Sequence, residues 1–409
     1  MLREGLDAAP ADVVVAGHLG TARPAPAAAA PPSGGVGMRV AVVAETFLPA
    51  VNGVVNSVLR LVDHLAVRGH DPVVVAPSGA GYESRCGAWV DVATVPSMRL
   101  PGYRQLSVAR PAGDLTRVLG RLAPDVVHLA SPAVLGLAAA RAARTLGVPS
   151  IAVFQTDLAA YAEHYRLPGG PAAAWRYLRA VHETAALTLA PSTTTQAMLA
   201  RHGIGPVTLW PRGVDLDQFA PEHRDPALHH RLAPGGELLV GVVARLAVEK
   251  RLALLAPLSE LPGVRLVVVG DGPQRRQLAR RMPRAHFLGQ LGGAELGAVV
   301  ASLDLFVHPG ADETFCQAVQ EALAAGVPAV VAASGGPLDL VRHGQNGWLW
   351  AGDDPHLLAA MVAGLRDDPV ALGTAADRAR PSVEERTWGR IGDELIGHLQ
   401  RLRAHRSAP

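Results

Sequence analysis

Residues 303–328 read L-D-L-F-V-H-P-G-A-D-E-T-F-C-Q-A-V-Q-E-A-L-A-A-G-V-P and change periodicity partway. The apolar run Leu303 to His308 predicts a buried strand. From Phe315 onward, Phe315, Ala318, Val319, Ala322 and Leu323 recur at helical spacing, and Gly326 then Pro328 end the helix. Two carboxylates punctuate the passage. Glu313 falls in the strand-to-helix turn, and Glu321 falls about two turns along the helix. In an open α/β sheet, ligands bind at the carboxyl ends of the strands, where this turn lies. The first amides of such a helix favour an anion such as a diphosphate. Two acids there can serve two tasks, one beside a reacting sugar and one on ribose hydroxyls. Equally, Glu313 can simply favour the helix N-terminus and Glu321 can be a solvated face residue.

The same strand-then-helix alternation extends outward in both directions. M-R-V-A-V-V-A-E from Met38 predicts a first strand. The loop Glu45–Gly53 leads into a helix with Val55, Val58, Leu59, Val62 and Leu65 on one side. Gly53, beside Asn52, permits close backbone approach at the helix start; it is equally a plain loop glycine. Further strands are expected near 72–76, 90–96, 125–129, 150–154, 187–191 and 207–210. The loop Met98–Leu106 carries Arg99, Tyr103 and Arg104 and reads as a mobile connection or as an acceptor or membrane contact. Gln155, Thr156 and Asp157 follow a buried strand and precede Tyr161, so they are site candidates; Thr156 or Asp157 can instead cap the next helix.

After Pro211 to Pro226, which has no steady period, strands resume at Leu238. Arg245 and Lys250 follow that strand and can reach one diphosphate, the first as a fork of donors and the second as a point charge. Val264–Val269 ends in V-G-D-G-P, which holds Gly270. S-G-G-P at Ser334–Pro337 offers amides to an anion or to sugar hydroxyls, or serves turn geometry alone. Trp388, Ile391, Leu395 and Leu399 share one side of a final helix over about 383–402, expected to pack back on the first half. The fold class is therefore α/β, with two Rossmann-like doubly wound domains facing across a ligand-binding cleft.

Composition narrows the function classes. The chain has 409 residues, 49% of them hydrophobic, and a net charge of +2, which supplies no bulk attraction to nucleic acid. Cys86 and Cys316 provide neither a disulfide framework nor metal spacing, which fits a reducing, cytoplasmic setting. Lys250 is the single lysine against 37 arginines, so a compact ammonium is kept at one place only. The Ala/Pro/Gly-rich residues 1–37 read as a disordered leader without the features of a secretory signal, and Met38 is an alternative translation start.

Together, Glu45–Gly53, Arg245 with Lys250, Val269–Pro273 and Glu313 with Glu321 resemble the retaining glycosyltransferases of family four, in the same order over about 38–402. Within them, E-T-F-L-P-A-V-N-G-V, V-F-Q-T-D-L-A-A-Y and P-R-G-V-D are most similar to the GDP-mannose-dependent α-mannosyltransferases of actinobacteria. The resemblance implies a GT-B fold. Its layout is an acceptor-side domain at 38–212, a nucleotide-sugar domain at 213–382 and a terminal helix and tail at 383–409. It implies that Arg245 and Lys250 bind the donor diphosphate, that Glu321 holds the ribose and that Glu313 lies against the transferred sugar. Gly53, Gly270, Thr314 and Phe315 are further implied donor contacts, and Asn52, Asp157, Arg99, Arg104 and Tyr161 acceptor contacts.

It also implies a lipid or glycolipid acceptor, peripheral association with the inner membrane face, and GDP-mannose as a substrate in place of any cofactor. The chain shows no clustered acidic pair for Mg²⁺ beside a diphosphate, so no metal is expected. The sequence departs from the pattern twice. Gln155 stands where many members have His, which leaves a hydrogen-bonding role only. Cys316 stands where Gly is usual after the Phe, which narrows the space near Glu313. The alternatives are a UDP-sugar transferase, a sugar-nucleotide epimerase of the same fold, and a non-catalytic sugar-nucleotide binder.

Overall fold

The computed structural model describes residues 37–49, 53–77, 79–100, 103–109, 115–130, 133–166 and 169–406, with backbone alone over 97–100 and 103–109. Residues 1–36 of the expected leader and Asn52 lie outside these, as do the side chains of Arg99 and Arg104. Contacts divide the chain into two compact units. One is Val214–Glu385; the other is the described part of Gly17–Gly213 with Arg386–Pro409.

The first half of the chain contributes β1 (Arg39–Val43), β2 (Asp71–Ala76), β3 (Tyr82–Glu83), β4 (Trp89–Thr94), β5 (Ser97–Leu100), β6 (Tyr103–Ala109), β7 (Val126–Leu129), β8 (Ser150–Val153), β9 (Leu187–Ala190) and β10 (Val207–Leu209). Eight of them form one sheet in the order β10-β9-β8-β7-β1-β2-β4-β3. Its pairings are parallel, apart from the short β3 against β4. The runs V-A-V-V and P-V-V-V-A are buried throughout, as a parallel sheet covered on both faces requires. β5 and β6 pair antiparallel as a separate hairpin, which corrects the expectation of an irregular loop over 98–106. Backbone pairing there satisfies N–H and C=O groups that a plain loop would leave to water.

The terminal helix Trp388–Arg406 belongs to this same unit and packs on the helix Gly53–Val67. Ile391, Leu395, Ile396 and Leu399 are buried with Val40, Val42, Val58 and Val62. Gly392 allows close approach, since a Cβ there would lie 2.3 Å from His64. Trp210 Nε1 donates to the Ile391 carbonyl at 3.0 Å, tying the segment just after β10 to the last helix. This helix starts five residues later than its apolar spacing predicts. Thr387 sets the start: its hydroxyl accepts from the Arg390 amide at 3.2 Å, as an N-cap does.

The second unit holds β11 (Leu238–Val243), β12 (Val264–Val269), β13 (His286–Gly289), β14 (Leu305–His308), β15 (Ala329–Ala332) and β16 (Gly347–Trp350), a strand not anticipated from sequence. The order is β13-β12-β11-β14-β15-β16, all parallel. From β11 the chain steps outward through β12 and β13, then returns to β14 on the other side. The carboxyl ends of β11 and β14 thus flank a topological switch point.

Candidate active site

The switch point of the second unit brings the predicted cation and acid together. Beyond β11, Leu246 donates its amide to the Asp271 carbonyl at 2.9 Å and accepts from the Gln274 amide at 2.9 Å. The turn after β11 is thereby fastened to the turn after β12. Gly270 makes this possible. Its φ is +128°, and a Cβ there would lie 2.0 Å from the Ala244 carbonyl oxygen. Gly270 therefore has a structural role that accounts for it without any ligand. Arg245, on the fastened turn, is exposed, and none of the described residues pairs with its guanidinium. The short 3₁₀ turn Val248–Lys250 then directs Lys250 toward the end of β14.

Beyond β14, Glu313 receives two nitrogens on one oxygen. Lys250 Nζ lies 2.6 Å from Glu313 Oε1, and His308 Nε2 lies 2.8 Å from the same atom. His308 closes β14 and is 2% exposed; the Glu313 side chain is 14% exposed. Burial alone would raise the Glu313 pKa. The Lys250 charge and the His308 hydrogen bond outweigh it and hold the carboxyl well below the usual carboxylate range. Burial works against charge on His308 too, but the adjacent Cys316 sulfur and Glu313 lift its pKa to about 10. The contact requires a glycine beside it, since a Cβ at Gly310 would lie 2.8 Å from His308 Nε2.

The turn carrying Glu313 is pinned from behind. Gly336 donates its amide to the Glu313 carbonyl at 2.7 Å, and Ser334 Oγ donates to the Ala311 carbonyl at 3.0 Å. The S-G-G-P segment thus fixes the acidic turn, a task that its glycines alone do not reveal. Thr314 and buried Phe315 continue the turn. Cys316 is buried with φ +75°, so the helix cannot begin before it. The helix spans Gln317–Ala324, two residues later than predicted, and Glu321 stands one turn along it, not two. Gly326, at φ +76°, follows the helix end as expected.

In the first unit, Gln155 follows β8, and its Oε1 accepts from an Arg212 guanidinium nitrogen. Arg212 also reaches the Gly53 carbonyl, at 3.5 Å, where the first helix starts. Gln155, Gly53 and Arg212 form one cluster, and Arg212 was not singled out from sequence. Its signal was the P-R-G-V-D segment, read there only as a connection and as a family mark. Asp157 Oδ1 accepts from the amides of Ala159 and Ala160, so the capping alternative for Asp157 describes the structure. Tyr161 stacks on Tyr165, with ring centroids 5.4 Å apart.

Among the described residues, His308, Glu313 and Cys316 offer metal-ligand atoms within 4.8 Å of one another. The Glu313 oxygen in that group already accepts from Lys250 and His308, so a cation would have to displace an ammonium. The fit to a resident metal is therefore poor. What the arrangement can do is hold an ionised carboxylate beside a lysine and an exposed arginine at the rim of a parallel sheet. That combination suits a substrate joining an anionic group to a hydroxyl-bearing one.

Residues 51–218 match the family model described as Glycosyltransferase Family 4, and residues 238–368 match that described as Glycosyl transferases group 1. The chain is similar to the GDP-mannose-dependent alpha-mannosyltransferase of Mycolicibacterium smegmatis, with 47% identity over 374 residues, covering 90% of this chain and 99% of that protein. It is 26% identical over 375 residues to the GDP-mannose-dependent alpha-(1-6)-phosphatidylinositol dimannoside mannosyltransferase of Mycobacterium tuberculosis, covering 88% of this chain and 96% of that protein. Among solved structures, Alr3699/HepE of Anabaena in complex with UDP and glucose aligns with a TM-score of 0.71 at 20% identity, covering 89% of this chain and 99% of that one.

Proposed function

The chain belongs to glycosyltransferase family 4 and has the GT-B type of fold, and from that premise we propose that it moves mannose from GDP-mannose to a hydroxyl of a lipid or glycolipid acceptor, with retention at the anomeric carbon. The observation that carries the site assignment is the meeting of Lys250 with Glu313 at 2.6 Å across the switch point.

In this reading Arg245 and Lys250 bind the donor diphosphate, and Glu321 holds the ribose from its helix. Charge accumulates on the departing diphosphate as the glycosidic bond breaks. Fixed cations aimed at that position stabilise the transition state more than the ground state. Two cations on the diphosphate do the neutralising work of a divalent ion, so we expect no metal requirement. Glu313, held ionised, lies against the transferred sugar, where positive charge develops. Front-face attack bonds the acceptor oxygen to the anomeric carbon on the face the diphosphate leaves, and an oxygen of the leaving diphosphate takes the acceptor hydroxyl's proton. Gln155, in the first unit, can hydrogen-bond but cannot exchange a proton as an acid or base.

The acceptor side rests on the first unit, through Asp157, Tyr161 and the β5–β6 hairpin that bears Arg99 and Arg104. Action at the inner membrane face fits a lipid acceptor. Among the described residues, no helix is long and apolar enough to cross a membrane.

Calorimetric titration with GDP and UDP, repeated on Lys250→Ala, tests the reading. GDP is expected to bind in preference to UDP, with affinity at least about ten-fold weaker in the variant through loss of one charge-assisted contact. Preference for UDP would replace the donor, and binding of neither would overturn the site.

A further inference from the structure

We propose that His308 is a positioning residue: its Nε2–H donates to Glu313 Oε1 and fixes the carboxylate in orientation and ionisation, leaving Lys250 to serve the diphosphate. The inference deepens the proposed function and rests on the role given there to Glu313.

The geometry requires a division of labour. One Glu313 oxygen accepts from both Lys250 Nζ, at 2.6 Å, and His308 Nε2, at 2.8 Å. An ammonium has three N–H donors on a flexible stem and can share or transfer them. The imidazole has no such freedom. It terminates β14, is 2% exposed, and sits against Gly310, where even a methyl group would collide with Nε2. An ionised carboxylate only accepts, so the shared proton lies on Nε2.

The groups facing this pair are Lys250 from the Val248–Lys250 turn and the Cys316 sulfur from the start of the following helix. If Lys250 swings to a diphosphate, the partly buried Glu313 would lose its other donor and its charge would become costly. His308 supplies the contact that persists. The turn is also braced from behind by Gly336 on the Glu313 carbonyl, so side chain and backbone are both held.

The experiment compares His308→Leu and His308→Gln with the unsubstituted chain. GDP affinity is read by calorimetry, and GDP release from GDP-mannose is followed across pH 4 to 8. GDP affinity should stay within about two-fold. Turnover should fall at least about ten-fold in His308→Leu and less in His308→Gln, which keeps an N–H donor. The acid limb of the rate should move upward in His308→Leu, as Glu313 loses a contact that favours its charged form.

Wild-type turnover and an unmoved acid limb in a folded His308→Leu, with GDP binding intact, would overturn this inference alone. Equal loss of GDP binding and turnover in both variants would mark His308 as merely structural. Failure of the unsubstituted chain to bind GDP would remove the site reading and this inference with it. Should His308→Leu fail to fold, ¹⁵N-histidine NMR of the unsubstituted chain decides: a proton on His308 Nε2 supports the inference, and an Nδ1–H tautomer with bare Nε2 overturns it.

Discussion

Single atoms at the end of β14 carry much of the site's chemistry. Gly310 shows how little room there is. A Cβ at that position would stand 2.8 Å from His308 Nε2 and 3.4 Å from Glu313 Oε1. Gly310→Ala is therefore expected to push the two apart and lower turnover about ten-fold, which corresponds to about 1.4 kcal/mol of barrier. GDP affinity should be retained, since the cations proposed for the nucleotide, Arg245 and Lys250, sit on other segments; full activity in this variant would show the His308–Glu313 contact to be dispensable. Sequence alone placed Glu313 and Lys250 as candidates but left His308 inside an apolar run as the last strand residue. Its chemistry became visible only when the chain doubled back five residues later.

At the scale of elements, a buried acid caps a distant helix. The helix Val134–Thr145 has no side-chain cap from Ala133. Glu45, beyond β1, accepts from the amides of Leu135 and Gly136 through one oxygen. Burial raises the Glu45 pKa to about 7, and the two amides offset this only partly. Between its ordinary value of 4.5 and about 7, the folded chain keeps a proton that the unfolded chain has released. Stability contributed here is therefore present at low pH and lost as pH rises through that window. Glu45→Gln keeps an acceptor for both amides without a charge. It should add on the order of 3 kcal/mol at pH 8 and little at pH 4. Urea unfolding at the two pH values measures this, and an equal effect at both would refute it. Periodicity placed both elements but is blind to a cap that lies about ninety residues away.

For the whole molecule, two units carry separate cores, and the chain's last helix belongs with its first strands. Leu395 is fully buried against that first core. Leu395→Ala should cost about 2–5 kcal/mol and lower the unfolding transition of the first unit. GDP, bound to the second unit in the proposed reading, should raise that unit's transition in both forms. Differential scanning calorimetry with and without GDP separates the two effects. A mutation that instead lowers only the GDP-sensitive transition would contradict this assignment of the terminal helix.

The sequence by itself determined the alternation of strand and helix and the parallel sheets, because unbroken apolar runs and helical spacing are local signals, and it offered Lys250, Glu313 and Glu321 as candidates at strand ends. Family resemblance added the expectation of mannose transfer. Helix starts shifted where one backbone angle decided them, as at Cys316, or one hydroxyl, as at Thr387. The hairpin of β5 and β6 and the short β16 escaped because pairing, not composition, makes a strand. Only the tertiary structure could show that His308 and Lys250 share one Glu313 oxygen, that Arg212 meets Gln155, and that Gly336 holds the acidic turn. Those contacts join residues brought together by the sheet order and the turns at its edge, and no pattern along the chain records which strand ends become neighbours.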